Sequence, residues 1–152
     1  MYKTTTALRK VRRLKKRIKG LQGGTSASKT ISWLMVEIDY AQRHKPKKGG
    51  DLTSIVSESM PHLKKGAMRD FEGIMKTHGY WKDANWNKTD KIYTFETGWQ
   101  IEFFSVDQSD KVRGPRRARL FGNECNNWAN GLETFNQLET RTTDSITLDW
   151  NP

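Results

Sequence analysis

The stretch "IKGLQGGTSASKT", residues 18–30, constrains this chain more than any other. A β-prone run, Ile18 to Gln22, enters Gly23-Gly24. After the serines, Trp33, Leu34, Ile38 and Ala41 recur at the spacing of one buried helix face, which predicts a helix over Thr30 to Gln42. A glycine-rich turn between a strand and a helix matches the pattern Gly-x-x-x-x-Gly-Lys-[Ser/Thr]. Gly23 opens it, Gly24, Thr25, Ser26 and Ala27 fill the variable places, and Lys29 and Thr30 close it. Ser28 stands where the second glycine belongs. Such a loop turns its backbone N–H groups toward phosphate oxygens, and the helix N-terminus adds partial positive charge. Serine is small and keeps the backbone donor, so the exchange need not destroy the cradle. Taken alone, the stretch reads equally as a Gly/Ser turn capping a helix.

The rest of the chain alternates in the same way. "LTSIVSE" (52–58) suits a second strand after the breaker-rich loop "RHKPKKGG" (43–50). Pro61 predicts the start of a helix running to about His78, with Leu63, Ala67, Phe71, Ile74 and Met75 on one face. "KIYTFETGWQIEFFSV" (91–106) reads as a hairpin whose turn, Glu96-Thr97-Gly98, uses the glycine for a positive φ. "DKVRGPRRAR" (110–119) reads as a basic loop leading to "LFGNE", Gly131 to Arg141 as a helix, and "SITLDW" (145–150) as the last strand. This order predicts an α/β fold: a mostly parallel sheet flanked by helices, with an inserted antiparallel hairpin.

Bulk composition narrows the classes. The 152 residues fit one domain, and six Trp, six Phe and four Tyr supply core bulk. No apolar run is long enough for a membrane span, and no apolar segment follows the charged N-terminus as a secretory signal requires. A single cysteine, Cys125, excludes an internal disulfide, and His44, His62 and His78 give no metal-ligand spacing with it. The net charge of +10 is uneven: nine of the 27 basic residues, and none of the 17 acidic ones, lie in residues 1–20. Residues 1–16 therefore read as a basic arm ahead of a nearly neutral domain, 17–152. A basic arm suits a polyanion such as nucleic acid, or is simply a solvated tail. Ala7, Val11, Leu14 and Ile18 at heptad spacing allow a short amphipathic helix within it.

A second chemical signal is "RLFGNECNNW" (119–128). A nucleotide hydrolase with a loop of this kind needs an acidic pair at the end of a later strand: one residue for Mg²⁺ and a glutamate for the attacking water. Glu124 fills the second place. Asn123 fills the first, where its amide oxygen can still accept a hydrogen bond from a metal-bound water. Arg119 interrupts what should be an apolar strand. Asn151, ending a further strand, would join Lys29 and Glu124 at the carboxyl edge of the sheet, where it could sense a γ-phosphate.

In this order the segments resemble the ATPase domain of the tailed-phage terminase large subunit, over about residues 17–152. "GGTSASKT" resembles that family's phosphate loop, "RGPRRARLFGNECNN" its approach to the catalytic glutamate, and "TLDWNP" its coupling segment. The resemblance implies an ASCE-type P-loop NTPase fold and ATP hydrolysis coupled to translocation of double-stranded DNA into procapsids. It implies ATP and Mg²⁺ as cofactors, held by Gly23, Gly24, Thr25, Ser26, Ala27, Ser28, Lys29 and Thr30. Thr30 and Asn123 would serve the metal, Glu124 and Lys29 the catalysis, and Asn151 the γ-phosphate. Many relatives place an arginine inside the loop; Thr25 and Ser26 lie there instead, so Arg113, with Arg116 and Arg117 behind it, is the candidate for transition-state charge. The implied partners are a portal protein, a small terminase subunit and further copies in a ring, in the host cytoplasm and without a membrane. The family continues past its Asn-Pro segment into more ATPase structure and a nuclease domain, so nuclease activity is not expected of this sequence. Two other readings stand beside this one: another P-loop DNA motor, and a non-catalytic basic nucleic-acid-binding module with Trp81, Trp86 or Trp128 stacking on bases.

Overall fold

The structure is a computed structural model that describes residues 3–24 and 28–152. Thr25, Ser26 and Ala27 of the glycine-rich turn lie outside the described residues. Thirteen regular elements follow in chain order: α1 (Thr6–Arg12), β1 (Ile18–Gln22), α2 (Ser28–Arg43), β2 (Thr53–Ser57), α3 (Met60–Lys65), α4 (Ala67–Thr77), β3 (Trp86–Asn87), β4 (Ile92–Thr94), β5 (Gln100–Ser105), α5 (Ser109–Arg113), β6 (Arg117–Gly122), α6 (Gly131–Thr140) and β7 (Thr142–Trp150). The strands form one sheet in the order β1-β7-β6-β2-β5-β4-β3. From β1 to β5 every pairing is parallel, and β4 and β3 extend the sheet antiparallel.

Neighbouring residues on the central strands face opposite sides, and both sides are dry. Ile55, Phe103 and Phe121 join one core with α1, α2, α3 and α4, while Val56, Phe104 and Leu120 join a second with Val112 of α5 and Leu138 of α6. This period-2 alternation with apolar residues in both registers is what a parallel sheet covered on both faces demands. Gly98, at φ 89°, makes the predicted turn between β4 and β5. Among the described residues, no helix is long and apolar enough to cross a membrane.

Several expectations change. The helix drawn from Pro61 to His78 is two helices broken at Gly66, although Leu63, Ala67, Phe71, Ile74 and Met75 are all buried as read. The buried face continues across the break while the hydrogen-bonded ladder does not; Gly66 leaves helical geometry at φ −109°, ψ −107°. The basic loop 110–119 is instead α5 followed by the start of β6, and the last strand begins at Thr142 rather than Ser145. At the N-terminus, Leu8 and Val11 of α1 are buried against α2, whereas Leu14 and Ile18 are exposed.

The arginines on β6 are a further change. A register shift between Arg117 and Arg119 turns their side chains to opposite faces. Arg119 forms a two-point ion pair with Glu37 of α2 at 2.8 Å, its guanidinium 4.1 Å from the centre of the Tyr40 ring. Burial works against the charge on Arg119, but Glu37 outweighs it and holds the guanidinium's pKa above its ordinary value. Arg117 is almost wholly buried on the other face, donating to the Ser54 hydroxyl and to the carbonyls of Leu138 and Lys111. A strand can carry two arginines through its interior when each finds a full set of acceptors.

Candidate nucleotide site

Three adjacent parallel strands end at one place. β1 delivers Gly23 and Gly24, β6 delivers Asn123 and Glu124, and β7, lying between them, delivers Asp149 and Asn151. The first turn of α2 brings Lys29 and Thr30 against these ends. Lys29 Nζ donates to the carbonyls of Gly23 (2.9 Å) and Gly24 (3.2 Å) and to Asn151 Oδ1 (2.7 Å). The lysine thus spans the opening of the turn, held by neutral acceptors that a phosphate oxygen can outcompete.

Gly122 sets the height of the next two residues. A Cβ there would lie 2.6 Å from Leu148 and 2.7 Å from the Trp128 ring, so only glycine lets the indole fold over the strand end. Trp128 Nε1 donates to the carbonyl of Asn123 at 3.3 Å. Glu124 follows in the left-handed region at φ 48°, ψ 51°, a conformation rare for this residue type and concentrated at functional sites. Its backbone N–H donates to Asp149 Oδ1, and its carboxylate meets His62 Nε2 of α3 at 2.5 Å. His62 also lies 3.6 Å from Glu58.

Asp149 is the residue that sequence reasoning missed. It is fully buried, and its carboxylate accepts from the Thr30 hydroxyl (2.7 Å), from Asn123 Nδ2 at both oxygens (3.2 Å each) and from Glu124 N. Burial raises its pKa above the usual carboxylate value; the hydrogen bonds from Glu124, Thr30 and Asn123 and the charge of Lys29 oppose the shift. The available signal was its position in "TLDWNP", two residues before Asn151 and therefore on the same face of the strand. Asn123 differs from the expected arrangement. Its amide oxygen accepts from the Ser57 hydroxyl at 3.1 Å, and its nitrogen, not its oxygen, faces the site.

Lys29, Thr30, Asn123, Glu124 and Asn151 line one open cleft of about 550 Å³, together with His62, Lys65, Arg69 and Asp70. Arg113 is exposed and lines a different cavity, with Glu58 and Ser59. Arg117 is spent on buried acceptors, and Arg116 lies beside Gly50 away from the cleft. Trp128 is buried, and Trp81 and Trp86 pack partly buried against the aromatic core, so none of the three stands as a free stacking platform. Among the described residues no three His, Cys, Asp or Glu side chains gather as a metal cage. Magnesium does not require one: it binds through one or two carboxylates plus hydroxyl, water and phosphate oxygens.

Gly23, Gly24 and Lys29 after the first strand, a further strand inserted between it and the strand bearing the glutamate, and helices on both faces match the P-loop NTPase fold. Solved structures share this fold. The large terminase of a thermophilic bacteriophage, in one crystal form, superimposes with a TM-score of 0.75 at 18% identity over 96% of this chain and 37% of that one. In another crystal form the TM-score is 0.63 at 19% identity, over 88% of this chain and 32% of that one. Its complex with ADP gives 0.61 at 19% identity, over 88% and 33%. This chain therefore spans about a third of the length of those terminases. No family model and no curated protein matches the sequence.

Proposed function

We propose that this chain is the ATP-driven motor domain of a DNA-packaging terminase. The observation that carries the reading is the convergence of Lys29, Thr30, Glu124 and Asn151 on one cleft at the carboxyl ends of β1, β6 and β7. Lys29 neutralises and orients the phosphates, and the amide groups opening α2 add partial positive charge. Magnesium fits the oxygen donors present, Thr30 and the carboxylate beside it, and when bound it neutralises charge developing on the transferred phosphoryl group. Glu124 accepts the proton of the attacking water; in the state described here His62 holds that carboxylate. Asn151, bonded to Lys29, links the phosphate position to the end of β7. The ADP complex of the similar phage terminase supports a nucleotide in this fold.

The DNA half of the reading rests on charge. Lys10, Arg13, Lys15 and Lys16 are exposed in and after α1. Two variants separate the halves. Lys29→Ala is expected to lower ATP affinity about 10- to 100-fold, the loss of a charge-assisted bond, and to leave duplex DNA binding unchanged. Exchanging those four basic residues for glutamine is expected to weaken DNA binding and flatten its log–log salt dependence by about 0.9 per lost phosphate contact, with ATP affinity intact. Nucleotide and duplex titrations at several salt concentrations read both. DNA binding without any ATP affinity in the parent chain would favour the plain nucleic-acid-binding module.

A further inference from the structure

We infer that the metal-side carboxylate of this site has moved one strand over: Asp149 on β7 serves the magnesium, and Asn123 on β6 serves Asp149. The inference rests on the nucleotide-site reading above and assigns the residue that completes it. In a phosphate loop of this kind the hydroxyl after the lysine is a metal ligand, and an acidic residue at a strand end supports the same metal. That hydroxyl is Thr30 Oγ1, and it is bonded at 2.7 Å to Asp149 Oδ2. Asn123, at the end of β6 where the carboxylate is expected, presents an amide nitrogen to both oxygens of Asp149 and anchors its own oxygen on Ser57. An acceptor and a donor have exchanged places across two neighbouring parallel strands, and the pair retains a single negative charge.

The charge balance points the same way. Asp149 is fully buried yet forms no ion pair among the described residues; its direct partners are a hydroxyl, an amide and a backbone N–H, and Lys29 acts on it only through space. Buried carboxylates are ordinarily paired with a cation or coordinate a metal. Arg119 and Glu37, elsewhere in this chain, show the paired solution. The cation for Asp149 would come from the cleft side, where Thr30 lies.

The test is Mn²⁺ affinity, read by electron paramagnetic resonance in the presence of ADP, together with ADP affinity in EDTA. Asp149→Asn is expected to lower Mn²⁺ affinity about 10- to 100-fold with metal-free ADP affinity within about two-fold of the parent. The double exchange Asn123→Asp with Asp149→Asn is expected to recover most of the metal affinity. Unchanged Mn²⁺ binding in Asp149→Asn overturns the inference while leaving the nucleotide site standing; absence of ADP binding in the parent chain overturns the nucleotide site itself. Should Asp149→Asn fail to fold, the Asp70→Asn variant, which removes the other aspartate lining the cleft, carries the test when labelled with [4-¹³C]aspartate. A ¹³C hyperfine coupling to bound Mn²⁺ supports the assignment, and its absence overturns it.

Discussion

Replacing Glu124 by glutamine is expected to lower ATP turnover by about 10²- to 10⁴-fold, the usual worth of a positioned general base, while ATP still binds. The exchange preserves size and a hydrogen-bonding oxygen but removes the carboxylate proposed to take the water's proton. It leaves the backbone N–H of residue 124 in place, so the bond to Asp149 that shapes the strand end survives. Phosphate release and nucleotide affinity, measured on the same preparation, separate chemistry from binding. The left-handed backbone at Glu124 strengthens the expectation. A strained residue is retained where the direction of its side chain matters, and here it turns the carboxylate into the cleft beside His62. A Glu124→Gln chain that hydrolyses ATP at the parent rate would remove the assignment of Glu124 as base.

The second large effect concerns stability. Arg119→Leu is expected to destabilise the fold by about 3–5 kcal/mol, because it strands the Glu37 carboxylate in the core. Glu37 is 1% exposed, and its partners there are Arg119 and the Thr53 hydroxyl. Thr53 in turn accepts from Trp99 Nε1, so the disturbance reaches the β2–β5 pairing. Pairing Arg119→Leu with Glu37→Leu should recover a large part of the loss, since replacing both members of a buried pair with apolar groups is often nearly neutral. Denaturant titrations of the parent and the two variants check this; a loss in Arg119→Leu below about 1 kcal/mol, the range of an exposed pair, would contradict the burial argument.

These two residues also show what could and could not be read from the chain. The placing of Glu124 and Lys29 at the carboxyl ends of strands was legible because their signals are local: a residue type at a fixed place after a β-prone run. The strands themselves were legible for the same reason, since "LTSIVSE" and "SITLDW" carry their own punctuation. Arg117 and Arg119 were not, because an arginine becomes a strand residue only when a distant partner neutralises it. Glu37 lies 82 positions earlier in sequence, on a helix whose face read as buried, Trp33, Leu34, Ile38 and Ala41, is apolar. Asp149 was hidden by topology: nothing near it in sequence indicates that β7 lies between β1 and β6 and so delivers its carboxylate to Thr30. The helix break at Gly66 escaped because the apolar spacing continues across it.

The amide of Asn123 adds a physical point about substitution within a motif. An asparagine in a carboxylate's place reads as a weakened metal site while strands are considered singly. Within the sheet it becomes half of a pair, with the charge on the adjoining strand and the amide holding it. Spacing along one segment measures such a site incompletely, because parallel pairing brings Gly122 and Leu148 into register and sets the residues after them side by side.

The most direct measurement is a titration of the purified chain with a fluorescent ATP analogue, once with magnesium and once with EDTA. The account predicts saturable binding at one site per chain, tightened by magnesium and displaced by unlabelled ATP. No saturable binding up to millimolar nucleotide, in a chain shown to be folded, would contradict it.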